Sequence, residues 1–90
     1  MREFEIKPIL RRKFIKLSKK DKKIFDIVMK KVFEIVNCFN IEHYKNLRHD
    51  MKDSKRVKVG SFVLVFSYDK EKNFVSFEDF DHHDNIYKKG

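Results

Sequence analysis

Residues Phe62 to Tyr68 read Phe-Val-Leu-Val-Phe-Ser-Tyr, a dense apolar run in a chain of which 40% of the residues are charged. Gly60-Ser61 precedes it as a tight-turn signal, and Asp69-Lys70-Glu71-Lys72-Asn73 follows as a second turn. A run this short between turns reads as a central strand buried on both sides. Its flanks alternate with a period of two. Lys55 to Val59 sets Val57 and Val59 on one face and Arg56 and Lys58 on the other. Phe74 to Phe80 sets Phe74, Ser76, Glu78 and Phe80 against Val75, Phe77 and Asp79. The second half of the chain is therefore a three-stranded antiparallel meander.

The first half supplies its cover. Glu3-Phe4-Glu5-Ile6-Lys7 alternates as a half-buried strand, which Pro8 ends because it has no N–H for a ladder. Leu10, Phe14 and Leu17 follow at helical spacing, so Ile9 to Leu17 is a short amphipathic helix. Ser18, with Asp21 three residues on, reads as the N-cap of a longer helix reaching about Asn37. That helix carries two apolar rows, Ile24, Val28, Val32, Ile35 and Phe25, Met29, Phe33, Val36. A stripe so wide needs both a sheet and another helix against it. Residues 38–53 have no clean period and read as a long basic connection with room for a short helical turn. The expected fold is α+β and a single domain over residues 1–90. An N-terminal strand, a two-helix hairpin and the meander form one twisted sheet with helices on one face. The opposite face is left free, a natural place for a ligand.

Charge narrows the choice of ligand. Residues 1–58 hold 18 basic and 8 acidic side chains, a net of +10, whereas residues 59–87 hold 2 and 6, a net of −4. A basic surface of that size draws polyanions, nucleic acid or an acidic protein. Ten Phe and three Tyr supply the large buried areas that a small core needs. Cys38 is alone, which rules out a disulfide framework and a Cys-based zinc site, and beside Phe39 it reads as a structural thiol. With no secretory leader and no apolar run near ~18 residues, a soluble cytoplasmic protein is expected, with no membrane partner.

The order strand, helix, helix, meander resembles the RelE/ParE toxin family. The segment from Leu47 to Gly60 is similar to that family's loop entering a basic-apolar-basic strand ahead of a turn glycine. His82-His83-Asp84-Asn85-Ile86-Tyr87 resembles its C-terminal motif, a His or Arg followed by Asp, an aliphatic residue and Tyr. The resemblance spans nearly the whole chain. It implies the toxin of a type II toxin–antitoxin system, with a cognate antitoxin as partner. Most such toxins are endoribonucleases that cut mRNA on the ribosome without a metal or other cofactor, and so inhibit translation. The ParE branch inhibits DNA gyrase instead, and a catalytically weak RNA-binding relic is a third alternative. One departure stands out. Where the family usually has an arginine two residues into the strand after the turn, this chain has Val63.

RNA carries its own nucleophile in the 2′-hydroxyl. Cutting it takes a base for that proton, an acid for the leaving 5′-oxygen and positive charge for the phosphorane. Arg56 and Lys58 share a strand face. They are either its solvated side or a pair sharing an anion, with Arg56 clamping the phosphate and Lys58 stabilising the transition state or serving as base. His83 is the candidate general base or acid, since an imidazole titrates near neutral pH. His82 is the alternative, pointing the other way along an extended tail. Tyr87 stacks on a base, donates a proton to the leaving oxygen, or packs the tail onto the sheet. Asp81 and Asp84 orient a histidine. No metal is assigned to Asp81-His82-His83-Asp84, because neighbours on an extended chain diverge. Lys45, Arg48, His49, Lys52 and Lys55 are assigned to the RNA backbone as positioning contacts, with His43 and Tyr44 extending that surface.

Overall fold

In a computed structural model, residues 1–47 and 54–88 are described. The order is β1 (Glu3–Ile6), α1 (Pro8–Lys20), α2 (Lys22–Asn37), a 3-10 turn (Ile41–His43), β2 (Ser54–Val59), β3 (Phe62–Asp69), β4 (Phe74–His82) and α3 (His83–Lys88). The four strands form one sheet in the order β1-β4-β3-β2. β2, β3 and β4 run antiparallel as the expected meander, and β1 returns parallel to β4. A parallel neighbour demands a long crossover, which the α1–α2 hairpin begins.

Pro8 opens α1, where its missing N–H costs nothing. The helix outlasts the expected Leu17 and runs to Lys20, with Lys19 and Lys20 in its last turn complementing the dipole. Ser18 is therefore not the cap of α2. It lies inside α1, where its hydroxyl donates to the Ile15 carbonyl at 2.7 Å. Asp21 alone joins the helices. Its backbone N–H closes α1 on the Leu17 carbonyl at 2.8 Å, and its carboxylate accepts from the Ile24 N–H that opens α2 at 3.2 Å.

The helices and one sheet face enclose the main core, with Leu10, Val28, Ile35, Leu64, Phe66, Val75 and Phe77 fully buried. Phe33 is exposed, so the second apolar row of α2 is only partly covered. In β4 the strict alternation fails. Val65 faces Asp79 while Phe66 faces Phe77, so Glu78 is an extra residue, a β-bulge. The bulge returns Phe80 to the core beside Val75 and Phe77, not to the face of Ser76. The opposite sheet face is not free either. Ile86 of α3 packs there on Val63 and Val65, with Leu47 against them. Among the described residues, no helix is long and apolar enough to cross a membrane.

Candidate functional site

The pleat of β2 divides its cations. Lys55 shares the parity of Val57 and Val59, so it turns to the helix side and is 7% exposed. Its Nζ donates to the Tyr44 carbonyl at 3.4 Å and to Asn46 Oδ1 at 3.2 Å. Lys55 is thus a buried tether for the preceding loop, not a contact for an RNA backbone. Arg56 and Lys58 stand on the other face, directly opposite Val65 and Val63. The loop chain runs along the outer edge of β2, with Leu47 N–H on the Ser54 carbonyl at 2.7 Å and Arg56 N–H on the Lys45 carbonyl at 2.9 Å.

Arg56 is held at three points. Nε donates to the Asn46 carbonyl at 3.2 Å, Nη1 donates to the Tyr87 hydroxyl at 2.8 Å, and the guanidinium carbon lies 5.8 Å from the centre of the Tyr87 ring. The cationic strand and the tail therefore meet. Asn46 carries no charge or motif in the sequence that marks it for this role. Lys58 is exposed and makes no ion pair among the described residues.

The tail is helical where an extended chain was expected. β4 passes into α3 without a loop, and the His83 N–H donates to the Ser61 carbonyl at 2.9 Å. Residues four apart on a helix share a face, so His83 and Tyr87 stand one above the other, about 6 Å apart along the axis. Ile86 seats α3 with its His83 end at the Gly60–Ser61 turn and its Tyr87 end at Arg56. His83 Nδ1 sits 2.8 Å from Asp84 Oδ1. That contact sets the His83 ring beside the Asp84 carboxylate. His82, the last residue of β4, has its ring edge-on to Phe62 at 6.0 Å between centroids. Its Nδ1 accepts from the Asp84 backbone N–H at 3.2 Å. The two imidazoles do not diverge; their centroids are 4.7 Å apart.

A clasp that ties helix, strand and tail together was not foreseen. Lys13 Nζ reaches Asp79 Oδ1 at 2.6 Å and Asp81 Oδ2 at 3.2 Å. The other oxygen of Asp81 accepts from Asn85 Nδ2 at 3.0 Å and from the His82 N–H at 2.8 Å. The Asn85 amide foremost lowers the Asp81 carboxyl, which burial opposes and the His82 N–H and Lys13 reinforce. Burial alone pushes the Lys13 amine down, but Asp79 and Asp81 together outweigh it and raise it. Nothing in the local sequence marks contacts 66 and 68 residues apart.

A hollow of about 320 Å³ is lined by His43, Tyr44, Lys45, Arg56 and Lys58. It connects the cationic strand to exposed Lys45 and to His43, which stacks on Tyr44 at 4.1 Å. His83 and Tyr87 do not line it. A larger hollow of about 830 Å³ lies around Lys55 and Tyr68, with Glu42, Asp69 and Glu71 in its wall. Lys45, Lys55 and Lys70 offset those carboxylates, whereas the smaller hollow has no carboxylate in its wall and is the more cationic of the two. Arg48, His49 and Lys52 lie outside the described residues.

No family model matches the chain. A Methanocaldococcus jannaschii protein named "Putative toxin RelE4" is 54% identical over 90 residues, covering 99% of this chain and 94% of its own length. A Methanosarcina mazei protein is 48% identical over 84 residues, covering 92% and 95%. In fold, the isolated Escherichia coli RelE toxin superposes with a TM-score of 0.75 at 18% identity, covering 99% of this chain and 94% of its own. The toxin–antitoxin complex RelBE2 of Mycobacterium tuberculosis gives 0.71 at 21% identity, covering 91% and 98%. With the tail helix seated on the cationic strand and a relative identical at more than half of its positions over nearly the full length, the chain belongs to the RelE family of toxins.

Proposed function

We propose that this toxin cleaves mRNA on the ribosome through attack of the 2′-hydroxyl on the adjacent phosphate, without a metal, and that it is the toxin of a toxin–antitoxin pair. The observation that carries the proposal is the 2.8 Å contact between Arg56 Nη1 and the Tyr87 hydroxyl, one helical turn from His83. It supports a single anion site with a cation, a base and an acid around it. Arg56 and Lys58 hold the phosphate and stabilise the phosphorane. His83 Nε2 takes the 2′-hydroxyl proton, with Asp84 holding the ring through Nδ1. The Tyr87 hydroxyl accepts from Arg56, so its own proton is free to pass to the leaving 5′-oxygen. His82 is packed at Phe62 and supports the tail rather than the substrate. Lys45 positions the backbone from the rim of the smaller hollow. Arg48, His49 and Lys52 extend that role in the proposal.

The antitoxin proposal rests on likeness. The M. tuberculosis neighbour is seen as a toxin–antitoxin complex, and a mutant E. coli RelE is seen with a peptide of the antitoxin RelB. A second reading, a toxin that inhibits gyrase and cuts no RNA, is favoured by Val63. Where an arginine would reach the phosphate, this chain has a fully buried valine that seats Ile86.

The test is to incubate the protein with translating ribosomes and a reporter mRNA in excess chelator and to map the 5′ ends. Cleavage within the A-site codon is expected. Intact mRNA together with gyrase-dependent DNA breaks would replace the nuclease by the second reading.

A further inference from the structure

At the β4–α3 junction, His82, His83 and Asp84 each present one ligand atom, all within 4.8 Å of one another. The Asp84 carboxylate approaches both rings, one oxygen to each. His83 Nδ1 lies 2.8 Å from Asp84 Oδ1, and His82 Nδ1 lies 3.6 Å from Asp84 Oδ2. The backbone creates this convergence. Were the strand to continue, adjacent side chains would point to opposite faces. The helix that begins at His83 instead brings them round to one side. The side chains are 42%, 48% and 60% exposed, so an ion reaches them from solvent without any opening of the fold.

We infer that His82, His83 and Asp84 form a binding site for a single divalent transition-metal ion of the Zn²⁺ or Ni²⁺ kind. Two imidazoles and one carboxylate are the donor set of open zinc sites, with water in the remaining position. A tetrahedral ion with bonds of about 2.0–2.1 Å separates its ligands by roughly 3.4 Å. The widest separation must close by little more than about 1 Å, which rotation of half-exposed side chains supplies. Calcium and magnesium are disfavoured, since they take oxygen ligands and the cluster offers a single carboxylate. In the bound form the neutral His83 ring carries its proton on Nε2, because Nδ1 must present its lone pair to the metal.

The effect on activity rests on the nuclease reading above. An imidazole bound to metal through Nδ1 keeps its proton on Nε2, the atom that is to accept the 2′-hydroxyl proton. The ion is therefore an inhibitor of the toxin and not its cofactor.

Isothermal titration of the full chain with Zn²⁺ at pH 7.5, in a non-chelating buffer, reads the stoichiometry. One ion per chain is expected. His82→Gln and Asp84→Asn should each weaken binding by more than about tenfold, while His43→Gln leaves it unchanged. Circular dichroism of each variant checks that the fold is retained. Binding to the His82→Gln/Asp84→Asn double variant as tight as to the wild type overturns the site. In the ribosome assay, cleavage should fall with the same Zn²⁺ dependence as the titration. Cleavage that persists with the site saturated overturns the inhibitory role. No cleavage with or without the ion removes the nuclease reading and the inhibition together, while the titration still decides the site.

Discussion

The two faces of the one sheet are built to different standards. Beneath the helices, Leu10, Phe14, Val28, Phe66, Phe77 and their neighbours form a continuous apolar layer. On the other face the buried apolar contact is Val63, Val65 and Ile86, with Leu47 beside them. Among the described residues, the other contacts holding α3 are polar: the Arg56–Tyr87 hydrogen bond, the Asp81–Asn85 pair and the His83 N–H on the Ser61 carbonyl. Stability is therefore concentrated where there is no candidate chemistry, and the candidate chemistry sits where little stability is at stake. The faces should be separable by mutation.

The sharpest break is in the core. Phe77 is fully buried and its ring lies 6.0 Å from that of Phe66. Phe77→Ala should cost about 3–5 kcal/mol in urea unfolding, a large share of the ~5–15 kcal/mol that such a domain commands. On the other face, His83→Ala should lower cleavage about 10²–10⁴-fold and move the unfolding free energy by no more than about 0.5 kcal/mol. Arg56→Ala should likewise remove most cutting. A His83→Ala protein that cuts at the wild-type rate would take the base away from α3, whatever its stability.

The same contrast explains what could be read from residues in advance. Periodicity reports on the apolar face, so the meander, β1 and the C-terminal reach of α2 to Asn37 were all legible from alternation and helical rows. It fails where one residue changes the count. Glu78 gives no local signal of a bulge, yet it moves Phe80 to the core and turns Asp79 to the opposite face from it. Ser18 reads as the cap with Asp21 as its partner three residues on, but α1 continues through Lys19 and Lys20 and Asp21 itself becomes the cap. α3 spans too few residues for a helical period to show, which is why the histidines were drawn as diverging. Lys55 was legible in principle, since it has the parity of Val57 and Val59. Its charge concealed its place in the core. Asn46 and Lys13 act through contacts that only the folded chain creates.

Ile86 is where the two standards touch, because it is the apolar anchor of the polar face. Ile86→Ala should cost roughly 2 kcal/mol, the low end for such a truncation, since the cluster it leaves is small and near the surface. Cleavage should fall with it, as His83 and Tyr87 lose their seat. Unaltered cleavage alongside the lost stability would mean that α3 does not carry the reacting groups.

The smallest effect tests the polar clasp. Asp81 is held below the ordinary carboxylate value of 3.8, first by the Asn85 amide. The folded state thus favours its ionised form, and the stability this contributes is present above about pH 4. It is lost as the pH falls further. Lys13 is raised above 10.5 because Asp79 and Asp81 outweigh its burial, so its contribution is present below that value and fades as the pH rises past it. Both are in place across neutral pH. The Lys13, Asp79 and Asp81 side chains are 34%, 25% and 30% exposed, and solvent screening keeps the whole clasp under about 1 kcal/mol. Lys13→Met keeps the stem and removes the charge. Its deficit in urea unfolding should be constant from about pH 5 to 9 and shrink as the pH falls below 3.8 and Asp81 is progressively protonated. A deficit that does not shrink as Asp81 is protonated would show that the charge of Lys13 on Asp81 is not what joins α1 to the strand that ends at the tail.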